Sequence, residues 1–243
     1  MPDQIYSLTL GNTTVPYQLK RSQRRRRTIE VTVDAEGGIR VAAPMRVPLR
    51  SIEDFLARRS AWLSRQLGAH VARADRPRPQ YVTGETVPFL GERLAIVIRE
   101  SVAKTAVRPL LGALEVTIPP GLDGQRESTV VAALEGWYRR QAEAELRNRV
   151  AAFAPVVEAR QPEVLVRSQK HLWGSCSPGG VLRFNWRLIM APPPVVDYVV
   201  VHELCHLRHP HHQKPFWEAV GAVLPDYRAL RAQLRRDGDG YRL

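Results

Sequence analysis

Polar and apolar residues alternate through "TIEVTV" (residues 28–33), with Ile29, Val31 and Val33 on one face, and a second apolar run follows in "IRVAAP" (residues 39–44). A period of two marks a half-buried strand, and Gly37-Gly38 between the runs supplies a turn, so this stretch predicts a β-hairpin. The period then lengthens. "SIEDFLARRSAWLSRQLGAH" predicts an amphipathic helix over residues 51–70, with Ser51 as N-cap, Asp54 three residues on, and Phe55, Trp62, Leu63 and Leu67 as its buried stripe. The succession recurs. "ERLAIVIRE" and "GALEVTIPP" read as strands and "STVVAALEGWYRRQAEAELRNRVAAFA" as a long helix. Ile39 and Leu114, Pro44 and Pro119, Trp62 and Trp137, and Gln66 and Gln141 all stand 75 positions apart. This offset reads as a weak duplication of a strand-pair-plus-helix unit; the plainer alternative is a chance alignment of two ordinary αβ segments.

Beyond Pro155 the pattern changes. "EVLVRSQK" predicts a strand with Val164 and Val166 on one face, "SPGG" a tight turn and "VLRFNWRL" the returning strand, together a hairpin over residues 163–188. "APPP" stops the sheet, and Pro194 suits the first turn of a helix expected over residues 195–207. The expected class is α+β, with N-terminal strand-pair-plus-helix units. The polar, Pro-rich "RADRPRPQYVTGE" places a boundary near residue 78, which separates an N-terminal hairpin and helix region (residues 1–78) from a second domain (residues 79–243).

With 243 residues and 44% hydrophobic content, the chain can bury a real core. No run of apolar residues is long enough to predict a transmembrane helix, and no membrane association is expected. "MPDQIYSLTL" lacks the basic and apolar regions of a secretory signal, and Cys176 and Cys205 give no disulfide framework, so a cytoplasmic location is expected. The net charge of +12 is concentrated in "KRSQRRRR", which holds Lys20, Arg21, Arg24, Arg25, Arg26 and Arg27. Such a field attracts polyanions without reading sequence. Nucleic-acid contact through Arg24, Arg25, Arg26 and Arg27 therefore stands beside the reading of a solvated strand edge.

Residues 202–212 hold five of the seven histidines. Within "HELCH", His202 and His206 at i, i+4 lie on one helix face, one turn apart, where two imidazoles can chelate one ion. Glu203 lies about 100° round the helix and can serve a water without binding the metal. This is the HExxH arrangement of zinc hydrolases. Pro210 ends the helix, leaving His209, His211 and His212 available beyond it. His212 follows His206 at the interval found in HExxHxxGxxH, although His209 replaces the glycine and no Met-turn signal follows. His211 is the rival third ligand, and His209 is expected to cap the helix C-terminus as a cation.

"RSQKHLWGSCSPGGVLRFNWRL", then "DYVVVHELCHL", His211-His212, "FW" and "PDY", resembles the YgjP-like family of metal-dependent hydrolases, relatives of the SprT-like and WLM metallopeptidases. The likeness is strongest over about residues 163–228, and looser in the N-terminal hairpin and the Trp-bearing helix. The resemblance implies zinc ligands at His202, His206 and His212, a catalytic Glu203, and a zincin-like C-terminal core in which a small sheet packs beside the HExxH helix. The chain departs from the family at His211, where Asn is common.

These readings converge on a zinc metallopeptidase acting on a peptide or protein. Zn²⁺ on three imidazoles keeps a position for water and lowers its pKa to about 7. Glu203 would carry the proton from that water to the leaving amine. Two rivals are a nucleic-acid-associated protein, with an SprT-like role on DNA as the analogy, and a closed structural zinc module with Cys205 or His211 as fourth ligand. Arg167, Lys170, Arg187, Tyr198 and Tyr227 are candidates for stabilising an oxyanion. Glu218 and Asp197 are candidate acceptors for imidazole N–H groups. Trp173, Gly174, Ser175 and Cys176 are expected at the hairpin turn, as a structural corner or as the rim of a substrate cleft.

Overall fold

Four strands, not two, build the first sheet: β1 (Gln4–Leu10), β2 (Thr13–Ser22), β3 (Glu30–Val33) and β4 (Ile39–Pro44). The computed structural model describes residues 4–11, 13–34, 37–74, 79–169 and 172–243. Its contacts separate two units, Met1–Arg78 and Pro79–Leu243. The first sheet runs β1-β2-β4-β3, with β2 parallel to β4 and both outer pairs antiparallel. Tyr17, Leu19, Ile39, Val41 and Ala43 turn one face inward, which is the period-two pattern at work.

The helix expected over residues 51–70 is two helices, α1 (Leu49–Arg58) and α2 (Ser60–Ala74). At Arg59 the N–H turns back to Leu56 O at 3.0 Å and the chain steps sideways before α2 begins. Ser51 is not the cap: α1 starts two residues earlier, after Pro48, with no side-chain cap. The step also moves the buried stripe to Ile52, Leu56 and Leu63, leaving Phe55, Trp62 and Leu67 at its margin. The arginine run is divided among tasks. Arg21 donates to the carbonyls of Pro44, Met45 and Val47, and Arg25 pairs with Glu30. Lys20, Arg24, Arg26 and Arg27 are exposed.

The second unit opens on a sheet of the same plan: β5 (Thr86–Phe89), β6 (Glu92–Glu100), β7 (Ala106–Leu110) and β8 (Ala113–Ile118), in the order β5-β6-β8-β7. Again the central pair is parallel and the outer pairs antiparallel. Val41 opposes Val31 in one sheet, and Val116 opposes Val107 in the other. Five residues separate the last paired positions of the β3–β4 hairpin, Val33 and Ile39, and two separate those of the β7–β8 hairpin, Leu110 and Ala113. Shared strand order and directions support the duplication more strongly than the spacing of identities does.

Helix α3 (Arg126–Phe153) buries Val130, Leu134, Trp137, Tyr138, Ala142, Leu146 and Val150, a stripe at three- and four-residue steps. It packs on β8, on the small sheet and on the helix that carries the histidines. That small sheet contains β9 (Val164–Arg167), β10 (Gly174–Cys176) and β11 (Leu182–Asn185), in the order β10-β11-β9. The expected hairpin over residues 163–188 is therefore corrected. β9 lies parallel to β11, and the hairpin joins β10 to β11 through the Ser177–Gly180 turn. Buried Asn185 makes this possible: its amide donates to Gln169 O (2.8 Å) and Leu172 O (3.3 Å), tying both flanks of the β9–β10 connection to the end of β11. Gly174, Ser175 and Cys176 are thus an edge strand, with Trp173 just before it, and not a turn.

Helix α4 (Pro193–Cys205) begins with two prolines after Pro192, where missing N–H groups have no intrahelical partner. Val195, Val196, Val199, Val200, Val201 and Leu204 make it apolar nearly all round, which requires burial. Gly91, at φ +84°, lets the β5–β6 turn approach its start; a Cβ there would meet Pro192 Cα at 3.2 Å. Arg149 of α3 pairs with Asp197 of α4. Helices α5 (Lys214–Val223) and α6 (Tyr227–Asp237) complete an α+β fold. Among the described residues, no helix is long and apolar enough to cross a membrane.

Candidate metal centre

The apolar helix α4 delivers His202 and His206 at its C-terminal end, one turn apart. The His209 N–H closes the helix on Cys205 O at 2.9 Å. The chain then passes Pro210 and returns His212 to the pair. His202 Nε2 lies 3.0 Å and His206 Nε2 lies 3.1 Å from His212 Nε2. One ring nitrogen from each falls within 4.8 Å of the others, and no other such group occurs among the described residues. Phe216 is fully buried beneath them, its ring 4.9, 4.5 and 4.7 Å from those of His202, His206 and His212. His211 is exposed and outside the group; its carbonyl accepts from Gln213 N–H at 2.7 Å.

His206 Nδ1 faces His209 O at 3.1 Å. A carbonyl only accepts, so Nδ1 carries the proton and Nε2 of the neutral ring presents a lone pair to the cluster. His209 thus contributes its backbone, and the expectation of a capping cation is replaced. Neither expected carboxylate reaches a ring: Asp197 is held by Arg149, and Glu218 is exposed beside Lys214. The Nδ1 of His202 is buried without a partner.

Burial keeps the rings neutral. It pushes the His202 pKa down to about 3, with His206, His212 and Arg231 adding repulsion. Burial also lowers His206 and His212, the latter with help from Arg231. Three neutral, borderline-soft nitrogens suit zinc. Tetrahedral Zn–N bonds of about 2.0–2.1 Å place ligand nitrogens about 3.3 Å apart, close to the two separations here. The donor set fits the ion.

Glu203 is 6% exposed and stays out of the nitrogen cluster. Its carboxylate stands against β10: a Cβ on Gly174 would lie 2.6 Å from Glu203 Cγ and 2.7 Å from Oε1. Only a residue without a side chain leaves room there. Burial raises the Glu203 pKa to about 8.

The other candidates separate. Tyr198 sits edge-on to His202 at 5.8 Å. Tyr227 stacks on Trp217 at 5.3 Å. Arg187 lies over Trp186 and Arg167 is exposed, both outside the cluster, while Lys170 lies outside the described residues. Cys176 and Cys205 are free thiols. Two residues escaped the sequence reading. The Trp217 indole donates to His212 O at 3.1 Å and stacks on the His212 ring at 5.5 Å, and Arg231 lies 4.8 Å over Trp217. Trp217 stood in the quoted "FW", but neither its contact with His212 nor its partner on α6 was legible.

Two outcomes follow from this packing. In chelator-treated protein Glu203 titrates near 8 when folded and near its ordinary 4.5 when unfolded. Its contribution to stability is complete below the lower value and is lost as pH rises through the higher one. His202 acts oppositely: its contribution is present above 6.5 and lost as pH falls toward 3. Urea unfolding should show a stability loss between about pH 5 and 8.5 that Glu203→Gln flattens. Gly174→Ala should destabilise by about 1–3 kcal/mol through overpacking. Adding Glu203→Ala should recover most of that loss, a coupling that a double-mutant cycle reads directly.

No curated protein matches the chain. A solved structure, the metallopeptidase zymogen of Pyrococcus abyssi abylysin, is 19% identical, with 37% of this chain and 90% of that one covered at a TM-score of 0.35. The description "YgjP-like, metallopeptidase domain" matches residues 27–237. With most of its length inside that match, this chain belongs to the YgjP-like metallopeptidase family.

Proposed function

We propose that the chain is a zinc-dependent peptidase, with His202, His206 and His212 as ligands and Glu203 as the proton carrier. The observation that supports it most is the meeting of three neutral imidazole nitrogens beside one buried carboxylate that does not join them. A zinc ion there supplies Lewis acidity toward a substrate carbonyl and toward water. Glu203 accepts the proton of the attacking water and returns it to the leaving amine. Gly174 holds that carboxylate in place. Strand β10 is the edge of its sheet and passes Glu203 at Gly174. An extended peptide adding to such an edge would gain main-chain hydrogen bonds while its carbonyls lie near the centre. A closed structural site is less well supported, because neither Cys205 nor His211 joins the group.

Glu203→Gln should keep one zinc per chain and lose about 10²–10⁴-fold in turnover on a casein or peptide-library substrate. His212→Ala should lose the metal itself. Zinc content by elemental analysis, measured beside turnover, separates the two, and full activity in Glu203→Gln would refute the role.

A second role is favoured by one observation in the first unit. Residues 1–78 carry 15 of the 36 Lys+Arg but seven of the 24 Asp+Glu. Lys20, Arg24, Arg26 and Arg27 are exposed, and no carboxylate pairs with them among the described residues. This surface would hold a nucleic-acid backbone without reading bases. Single- and double-stranded DNA should bind with an affinity that falls steeply with salt. Changing Arg24, Arg26 and Arg27 to Gln should flatten that slope by about two to three. No binding at low salt would remove this role.

A further inference from the structure

Helix α6 carries Arg228, Arg231 and Arg235 at i, i+3 and i+7, within about 60° of one stripe. Arg231 borders the metal centre, and Arg228 and Arg235 flank it, exposed, on the same side of the helix. Arg228 lies 5.7 Å over Tyr227, Tyr227 stacks on Trp217, and Arg231 lies 4.8 Å over Trp217, which itself covers His212. Tyr198, edge-on to His202, feels the charges of both Arg231 and Arg235. The helix end is fixed to the entrance of β10: a Cβ on Gly238 would meet Trp173 Cζ2 at 3.1 Å, and Trp173 packs edge-on against Tyr241 at 5.8 Å. One face of α6 thus borders the triad, and its end is anchored beside the strand that passes Glu203.

None of these three guanidinium groups has a carboxylate partner among the described residues, whereas Arg236 and Arg242 pair with Asp237 and Asp239. Three unpaired cations beside a centre built from neutral ligands leave a strongly positive cleft, and a divalent ion adds to it. Like charges at such range repel unless an anion lies between them. Glu203 cannot fill this role, because it is buried against β10. No carboxylate among the described residues pairs with them, so this surface is open to an anion from outside the chain.

We infer that Arg228, Arg231 and Arg235 form an anion-binding wall of the cleft that takes the carboxylate side chains of an acidic peptide flanking the cleaved bond. This rests on the peptidase reading above and deepens it. The stripe is about 10 Å long, at 1.5 Å per helical residue. Same-face side chains of an extended peptide lie about 7 Å apart, and the length of Glu and Arg side chains lets two of them reach along the stripe. Guanidinium groups suit such partners through paired N–H donors. Arg231 is half-buried on an indole and pre-positioned, whereas Arg228 and Arg235 are exposed.

The test uses the zinc-loaded full chain carrying Glu203→Gln, so that binding is read without cleavage. Two fluorescent peptides, identical except for three Glu replaced by Gln, are titrated by anisotropy. The Glu peptide should bind about tenfold more tightly at low salt, and the advantage should shrink as salt rises. Arg228→Gln with Arg235→Gln should reduce the advantage to about twofold, because the Arg231–Trp217 packing is left intact. Arg231→Lys, which keeps the charge, should retain most of it. Equal binding of the two peptides, or an undiminished advantage in the double variant, overturns the inference. So does displacement of the Glu peptide by inorganic phosphate or an oligonucleotide at concentrations where a tri-glutamate peptide fails, since the wall would then select phosphate. If wild type cleaves neither peptide while the Glu preference and its loss in the variant persist, the wall stands and the peptidase reading falls.

Discussion

Three ring nitrogens with lone pairs cannot be held 3.0–3.1 Å apart unless something positive is shared among them, a proton or a metal ion. Burial disfavours a second proton on the rings, so the pair of nitrogens facing His212 is not held by an imidazolium. α4 is apolar on nearly every side and must sit inside the fold, so His202 at its end is desolvated and its charged form is strongly disfavoured. Phe216 closes the space beneath all three rings. The neutral state that suits a metal therefore results from how the helix is buried. The same holds for orientation: His206 is fixed by the carbonyl of His209, and His212 by the indole of Trp217.

A second constraint joins two stretches of sequence that look unrelated. Gly174 of "WGSC" and Glu203 of "HELCH" are 29 positions apart in the chain, yet they meet so closely that no Cβ fits between them. The carboxylate is confined by backbone on one side and by its own helix on the other. Close packing of this kind removes rotamer freedom, which is how a proton-transfer group is kept at a set distance from its target. The small sheet therefore does more than cover α4; its edge strand aims the carboxylate.

What could be read in advance follows from how local each signal is. His202, Glu203 and His206 share one helical turn, so their relation is set by a period of 3.6 and was legible. His212 was legible from its interval beyond Pro210, though nothing local excluded His211. Strands β9 and β11 were both visible, but their parallel pairing was not, because alternation shows that a strand exists and says nothing about its neighbour or its direction. The choice depended on Asn185 binding two carbonyls across a connection. β1, β2, β5 and β7 were not read as strands, although β1 alternates at Tyr6, Leu8 and Leu10; β2, β5 and β7 each carry a proline (Pro16, Pro88 and Pro109) that argues against a strand. Trp217 and Arg231 were missed for a tertiary reason: each belongs to an ordinary amphipathic helix, and only the packing of α5 and α6 brings them to His212.

Burial raises a difficulty that the metal itself removes. A carboxylate with a pKa of about 8 is mostly protonated at neutral pH and cannot act as a base. Desolvation is the only cause of that shift, so it can be offset by one nearby positive charge. A divalent ion held by neutral imidazoles keeps its full charge, since no anionic ligand cancels any of it. Binding it would therefore draw the proton from Glu203, and the base becomes available only when the centre is loaded. An anionic ligand set would have weakened this coupling. On the peptidase reading, three neutral nitrogens would let one binding event assemble the electrophile and charge the base together.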